Sequence, residues 1–304
     1  MAEFVPNVDE AKRFVHSYGF FSNYSAAYVI TNEFLHDSML YMPKKCGRAL
    51  VTAASGDHPL FCSLYGAKHV DTFDISYNAK CIMDIKVAAI KCLNYSEYID
   101  LLCNLYDCRD VKRVPNMDKI SNNLSPIEYK YMCSMDGYAL FSNRQLLDKN
   151  DKFLISQQDY ENLQKIVKNP YNFKMTNIGR LRTHLTESYD FIHLSNILDY
   201  MEGSVYKFRI VSRLFNHVNV GGRIISANMC GEKWVDSFPI EDIEKDIEGY
   251  EDSLNRYTDV DNFLKESMMK SKQELEQMRQ IFKNWRYNKV ADYANDIIVF
   301  ERIR

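Results

Sequence analysis

Three short stretches carry residue types that could do chemistry. The first is Thr52-Ala53-Ala54-Ser55-Gly56-Asp57-His58-Pro59, a run of small residues with one glycine and one acid. Side chains this small let a ligand approach the backbone closely, and the helix start behind them favours a carboxylate or other anion. The second is Asp74-Ile75-Ser76, beginning 18 residues after Gly56. An acid at that distance from a first turn can accept hydrogen bonds from a ribose diol, with Ile75 packing on a base face. The third is Ser195-Asn196-Ile197-Leu198-Asp199-Tyr200. There Asn196 can orient an acceptor, Asp199 can act as general base or draw in a cation, and Tyr200 can face a positive centre with its ring. Ser195 begins that stretch and belongs with the ligand contacts. A lesser pair, Asn177-Ile178, offers an amide for a base edge and an apolar neighbour for its face. The structural alternatives are a plain turn at Ser55-Gly56-Asp57, a plain loop at Asn177, and helix caps at Asp74 and Asp199. His193 reads as a core histidine.

These residues need elements that end in the right places. Arg48 to Ala53 is apolar enough for a buried strand, His58 to Tyr65 for the following helix, and Gly66 for its stop. His69 to Asp74 is the second strand. Ser76 can cap a helix over 78–93, with Ile82, Ile85, Ala88, Ala89 and Cys92 on one face. A further helix is expected over 95–106. Phe173 to Ile178 reads as the third strand and Tyr189 to Ser195 as the fourth. A helix from Ser204 to His217, a Gly221-Gly222 turn and a strand from Arg223 to Ala227 follow. Tyr287 to Val290 and Asp296 to Arg302 read as a closing antiparallel pair. Ligands of open α/β sheets bind outside the carboxyl ends of the strands, where the three stretches fall.

Around this frame lie less regular segments. Residues 1–45 read as an N-terminal helical cap, with helical spacing from Tyr24 to Tyr41 and an aromatic run Tyr18, Phe20, Phe21, Tyr24 and Tyr28. Residues 46–304 form the ligand-binding α/β domain. It carries helical insertions at about 107–170, with a clear helix only near 157–168, and at about 232–286, helical from Asn262 to Trp285. The acidic run Glu241 to Glu251 reads as a solvated face.

Composition narrows the function classes. The 46% apolar fraction supports a sizeable core, and a net charge of −3 supplies no basic field for a phosphate backbone, so no nucleic-acid partner is expected. Eight cysteines without a Cys-x-x-Cys pair read as reduced thiols of a cytoplasmic protein, and no metal site is expected. No run of 18 apolar residues and no secretion signal are read, so no transmembrane segment is expected. A single glycine in the first turn argues against a pyrophosphate, and hence against a nicotinamide oxidoreductase.

The element order and the closing pair are those of class I S-adenosylmethionine-dependent transferases. The expected class is therefore α/β: a Rossmann-like class I methyltransferase fold, doubly wound and mostly parallel, with an antiparallel closing strand. Within that class the chain resembles the S-adenosylmethionine:diacylglycerol 3-amino-3-carboxypropyltransferases of betaine-lipid synthesis and their relatives. The resemblance rests on Thr52 to Leu60, on Asp74-Ile75-Ser76-Tyr77-Asn78-Ala79 with Asp84 to Ile90, and on Ser195 to Tyr200. The chain departs from the family at His58-Pro59, where the family has Asn-Ala, and at Tyr200, where it has Trp. The resemblance implies S-adenosyl-L-methionine as cofactor, held by Ala54, Ser55, Gly56, Asp57, Asp74, Ile75, Asn177, Ile178 and Ser195. It implies attack on the γ-carbon of the amino acid chain by a small-molecule or lipid-headgroup acceptor, with release of methylthioadenosine. Methyl transfer to a small metabolite is the alternative, and a non-catalytic nucleotide-binding scaffold a further one.

Overall fold

The structure is a computed structural model that describes residues 4–15, 22–105, 109–138, 140–142, 154–201, 204–228, 284–291 and 296–304. Tyr18, Phe20 and Phe21, Cys108 and Cys230, the acidic run from Glu241 and nearly all of the expected 232–286 insertion lie outside the described residues. The chain falls into two compact units, Met1–His184 and Leu185–Arg304.

In the first unit the elements are α1 (Val8–Phe14), β1 (Ala27–Tyr28), α2 (Leu35–Met39), β2 (Arg48–Thr52), α3 (Asp57–Leu64), β3 (His69–Asp74), α4 (Tyr77–Cys92) and α5 (Tyr95–Leu105). They continue with α6 (Met117–Ser121), α7 (Pro126–Ser134), β4 (Phe141–Ser142), α8 (Gln157–Ile166), β5 (Asn172–Met175) and α9 (Ile178–Leu181). The sheet order is β5-β3-β2, all parallel, with Arg48 opposite His69 and Asp71 opposite Asn172. Parallel strands covered on both faces are nearly continuous in apolar residues, and Ala49, Leu50 and Val51 are each fully buried.

The second unit holds β6 (Tyr189–His193), α10 (Ser204–Ser212), β7 (Val218–Asn228), β8 (Trp285–Ala291) and β9 (Asp296–Arg302). Here β6 and β7 are parallel, and β9 inserts antiparallel between β7 and β8. Parallel strands with helical connections, closed by an antiparallel strand, are the α/β Rossmann-like arrangement expected from the sequence. No described helix is long and apolar enough to cross a membrane.

The structure differs from expectation in four places. The N-terminal cap is not helical throughout: residues 22–34 run through turns and bends, and Ala27–Tyr28 pairs parallel with Phe141–Ser142. Non-local partners win over local propensity there. The Ser25 carbonyl accepts from the Ser76 hydroxyl at 2.6 Å, and the Tyr24 carbonyl accepts from Asn78 Nδ2 at 2.9 Å. The first insertion is more helical than expected, because Ser125 and Glu128 form a capping box that starts α7 behind Pro126. Gly221-Gly222 is a bulge inside β7 rather than a turn before it. From Tyr189 to Phe191 on β6, β7 runs from Val218 to Arg223, and Gly221 takes φ +79°. Trp285 ends no helix; it opens β8 and stacks on Phe215, with ring centroids 3.9 Å apart. Of the described cysteines, Cys46, Cys62 and Cys81 are buried thiols, whereas Cys92 and Cys103 are exposed.

Candidate functional site

The carboxyl edge of β2, β3 and β5 brings together the first-unit residues singled out from the sequence. Ala53 N–H donates to the Phe73 carbonyl and Thr176 N–H to the Asp74 carbonyl, both at 2.8 Å, so the three strand ends are level. After β2 the chain turns sharply. Ala54 adopts φ +42° and Gly56 φ +82°, and Gly56 N–H closes the turn on the Ala53 carbonyl at 2.6 Å. A non-glycine residue in the left-handed region is strained, and such strain clusters at functional sites.

Gly56 serves a close approach within the protein. A Cβ there would lie 2.8 Å from Met83 Cα and 3.3 Å from Lys86 Cδ. The glycine lets α4 pack directly on the turn. The next residue, Asp57, is buried, and its carboxylate is fully engaged by the protein. Oδ1 accepts from Lys86 Nζ at 2.5 Å, while Oδ2 accepts from Thr31 N–H and from the Ser55 hydroxyl, each at 2.8 Å. Lys86 is itself completely buried, and burial, only partly offset by Asp57, holds its ammonium below the usual lysine range. Ser55 and Asp57 thus act within the turn, tying β2, α4 and the N-terminal segment together. Glu33 and His58 add a second buried link between that segment and α3, at 3.2 Å.

Asp74 closes β3 as a half-buried carboxylate. Its Oδ1 accepts from Ser76 N–H at 2.9 Å, and its Oδ2 from Ala54 N–H at 2.9 Å and the Thr52 hydroxyl at 3.3 Å. Burial raises the Asp74 carboxyl above the ordinary range against the pull of those donors. The first consequence of Asp74 is therefore the shape of the turn, since it grips the N–H of the strained Ala54. Ile75 stands half-buried beside it. Asn177, exposed at the end of β5, caps α9 by accepting from Arg180 N–H at 3.0 Å, and Ile178 opens that helix half-buried.

In the second unit, β6 ends at His193 and Ser195 adopts φ +54°. Ser195 is buried; Asn196 and Asp199 are half-buried on the single helical turn Ile197–Tyr200, and Tyr200 is 56% exposed. Asp199 N–H donates to the Asn196 carbonyl at 2.9 Å, which closes that turn. Its charge opposes the effect of burial on Lys207 of α10, whose ammonium lies below the usual range because it is desolvated.

Lys86, Thr31 and His193 are the residues that sequence reasoning left out of the site. A signal existed for Lys86: it is a lone charge four residues after Ile82 on the apolar face of α4. Nothing in the sequence marks Thr31, whose role is a backbone N–H.

No family model and no curated protein matches the chain. Among solved structures it is similar to an rRNA methylase from Streptococcus thermophilus, at 8% identity over 90% of this chain and 99% of that one, with a TM-score of 0.38. A ribosomal protein L11 methylase from Lactobacillus delbrueckii subsp. bulgaricus matches at 12% identity over 89% of this chain and 79% of that one, with a TM-score of 0.38. An N-methyltransferase from Bradyrhizobium japonicum in complex with S-adenosyl-L-homocysteine matches at 9% identity over 89% and 86%, with a TM-score of 0.34.

Proposed function

We propose that the chain binds S-adenosyl-L-methionine and transfers a group from it, with the 3-amino-3-carboxypropyl group as the one moved. The observation that carries this reading is the strained, small-residue turn after β2, gripped by the carboxylate that closes β3. Of that turn Ala54 is partly exposed, and there a ribose or an amino acid group can approach the backbone.

The donor set fits such a ligand in part. Asp74 accepts three protein hydrogen bonds, which leaves about one of the roughly four lone-pair positions of a carboxylate. A ribose diol takes that position, and a second by displacing the longest bond, the 3.3 Å one from Thr52. Ile75 and Ile178 supply apolar faces for adenine, and Asn177 an amide whose oxygen caps α9 and whose NH2 group suits a ring nitrogen. When bound, the cofactor supplies a sulfonium that makes its attached carbons electrophilic. The chain's own part is positioning. Ser195 shapes the approach to Asn196, which orients the acceptor. In the second unit Asp199 is the group suited to take an acceptor's proton, and Tyr200 offers an exposed ring suited to a positive centre. The acceptor is a small molecule or a lipid headgroup.

Calorimetric titration with S-adenosyl-L-methionine, then chromatography of the nucleoside left after incubation with cell extract, tests this. Binding with release of methylthioadenosine is the expected result. S-adenosylhomocysteine would make the chain a methyltransferase, and binding without turnover a nucleotide-binding scaffold. Absence of binding would overturn the reading.

A further inference from the structure

We infer that His193 is a positioning residue, whose imidazole Nδ1 holds Ser195 in the conformation that presents Asn196 and Asp199. That these residues matter to catalysis rests on the function proposed above; the hold on Ser195 does not.

Ser195 is one of three described non-glycine residues with positive φ. An L-residue reaches φ +54° only if its surroundings compensate the strain. Here the backbone of Ser195 is engaged on both sides. Its N–H donates to His193 Nδ1 at 2.9 Å. Its carbonyl accepts from Ala227 N–H at 3.0 Å and from the Ser226 hydroxyl at 2.9 Å, both on β7. The β7 contacts fix where the carbonyl points, but they leave the N–H undirected. Among the described hydrogen bonds, the imidazole two residues back directs it, and that ring is wholly buried in a strand whose register is set by pairing His193 with Ile225. A buried ring in a paired strand holds the peptide plane before Ser195 in place. The next residues, Asn196 to Tyr200, follow from that plane.

The bond also fixes the chemical state of the ring. A nitrogen that accepts an N–H has no proton of its own, so the imidazole proton sits on Nε2. The same device stands at the end of β2, where Asp74 Oδ2 grips the N–H of Ala54, the other strained residue at a strand end. Each strand end thus has a left-handed residue and a nearby side-chain acceptor for its N–H. This recurrence argues against reading His193 as mere bulk.

Two amides separate an acceptor from bulk. In His193→Asn the side-chain oxygen stands close to where Nδ1 was, within reach of Ser195 N–H. In His193→Gln the oxygen lies one carbon further out. The readouts are hydrogen exchange of the Ser195 amide and turnover of S-adenosyl-L-methionine. We expect His193→Asn to stay within about 3-fold of wild type in both, and His193→Gln to lose at least about 10-fold of amide protection and of turnover. If bulk is what matters, Gln, nearer histidine in size, is the better tolerated, and that result overturns the inference. Should either variant fail to fold, the wild-type imidazole nitrogens decide by NMR: a protonated Nδ1 overturns the inference, and a proton on Nε2 supports it. If wild type binds no S-adenosyl-L-methionine, the functional reading fails, while amide exchange still judges the role of His193.

Discussion

Replacing Gly56 by alanine tests whether the first turn is shaped by α4. Two penalties combine. The residue has φ +82°, which disfavours any L-residue by about 1–2 kcal/mol. The added methyl then meets Met83 Cα at 2.8 Å and Met83 N at 3.3 Å. Those are main-chain atoms in the middle of a buried 16-residue helix, so they cannot swing away as a side chain would. Overpacking of this kind costs about 1–3 kcal/mol. The expected loss is therefore about 2–5 kcal/mol. Gly66 supplies the control: its φ is +95°, but a Cβ there has nothing within 4 Å. Gly66→Ala carries the backbone penalty alone, about 1–2 kcal/mol. Urea unfolding followed by circular dichroism reads the difference. With a slope of about 2 kcal/mol per molar, Gly56→Ala unfolds about 0.5–1.5 M earlier than Gly66→Ala. Equal midpoints would refute the argument, because they would mean that α4 does not press on the turn. If Gly56→Ala also proved as stable as wild type but lost cofactor affinity, the glycine would serve the ligand rather than the helix.

Three further outcomes follow from the same contacts. Lys86→Met leaves the Asp57 charge buried without its cation and is expected to lose about 3–5 kcal/mol in urea unfolding. Adding Asp57→Asn should recover part of that loss, because the amide oxygen still accepts from Thr31, so a double variant no better than the single one would show that charge is not the cause. For Asp74, burial raises the folded-state pKa, so the fold favours the protonated acid; the wild-type stability relative to Asp74→Asn should fall as pH rises from about 3.9 through the raised value and level off above it, and a difference that grows with pH would reverse the sign of the reasoning. Asp199→Asn should leave S-adenosyl-L-methionine affinity unchanged while slowing turnover by about 10²–10⁴-fold, and intact turnover would remove Asp199 as the base.

Much of the frame could be read from residue patterns because the signals are local and strong. Leu50-Val51 and the run Tyr189 to His193 announce buried parallel strands, and Ser76 announces the start of α4, where its hydroxyl does accept from Asn78 N–H. What failed to show was decided at long range. Tyr24 to Tyr41 has helical spacing, yet Val29, Ile30, Leu35 and Met39 are buried by tertiary packing, with strand and loop between the helices. The face of α4 was drawn too narrowly for a similar reason. Met83, Val87 and Ile90 lie outside the expected face and are buried, and the Tyr160 hydroxyl on α8 donates to the Ala89 and Leu93 carbonyls at 3.1 and 3.0 Å, whereas Cys92, expected on that face, is exposed. Gly221-Gly222 reads as a turn by composition, and only pairing with β6 makes it a bulge.

The candidate site shows a subtler limit. Sequence reasoning selected Asp57, Asp74, Asn177 and Ser195 because their polar groups suit a ligand, and each lies at or beside a strand end. Yet Asp57 accepts from Lys86, Thr31 and Ser55, Asp74 from Ala54, Thr52 and Ser76, and Asn177 from Arg180. The backbone of Ser195 is engaged by His193, Ser226 and Ala227. Residue type alone cannot distinguish a group that contacts a ligand from one that builds the surface the ligand meets, since both need an acceptor at the same strand end. The hydrogen-bond partners make that distinction. They assign Asp57 to the turn, Asp74 to the turn first and to a diol through its remaining lone pair and exchange with Thr52, and the N–H of Ser195 to His193. Substitution at Asp57 is therefore expected to act through stability and ligand affinity together, whereas Thr52→Val, which frees one lone pair of Asp74, should leave stability nearly unchanged and tighten a diol-bearing ligand. Titration of that variant with S-adenosyl-L-methionine decides the point: weaker binding would mean that the Thr52 hydroxyl, and not the lone pair it occupies, is what the ligand uses.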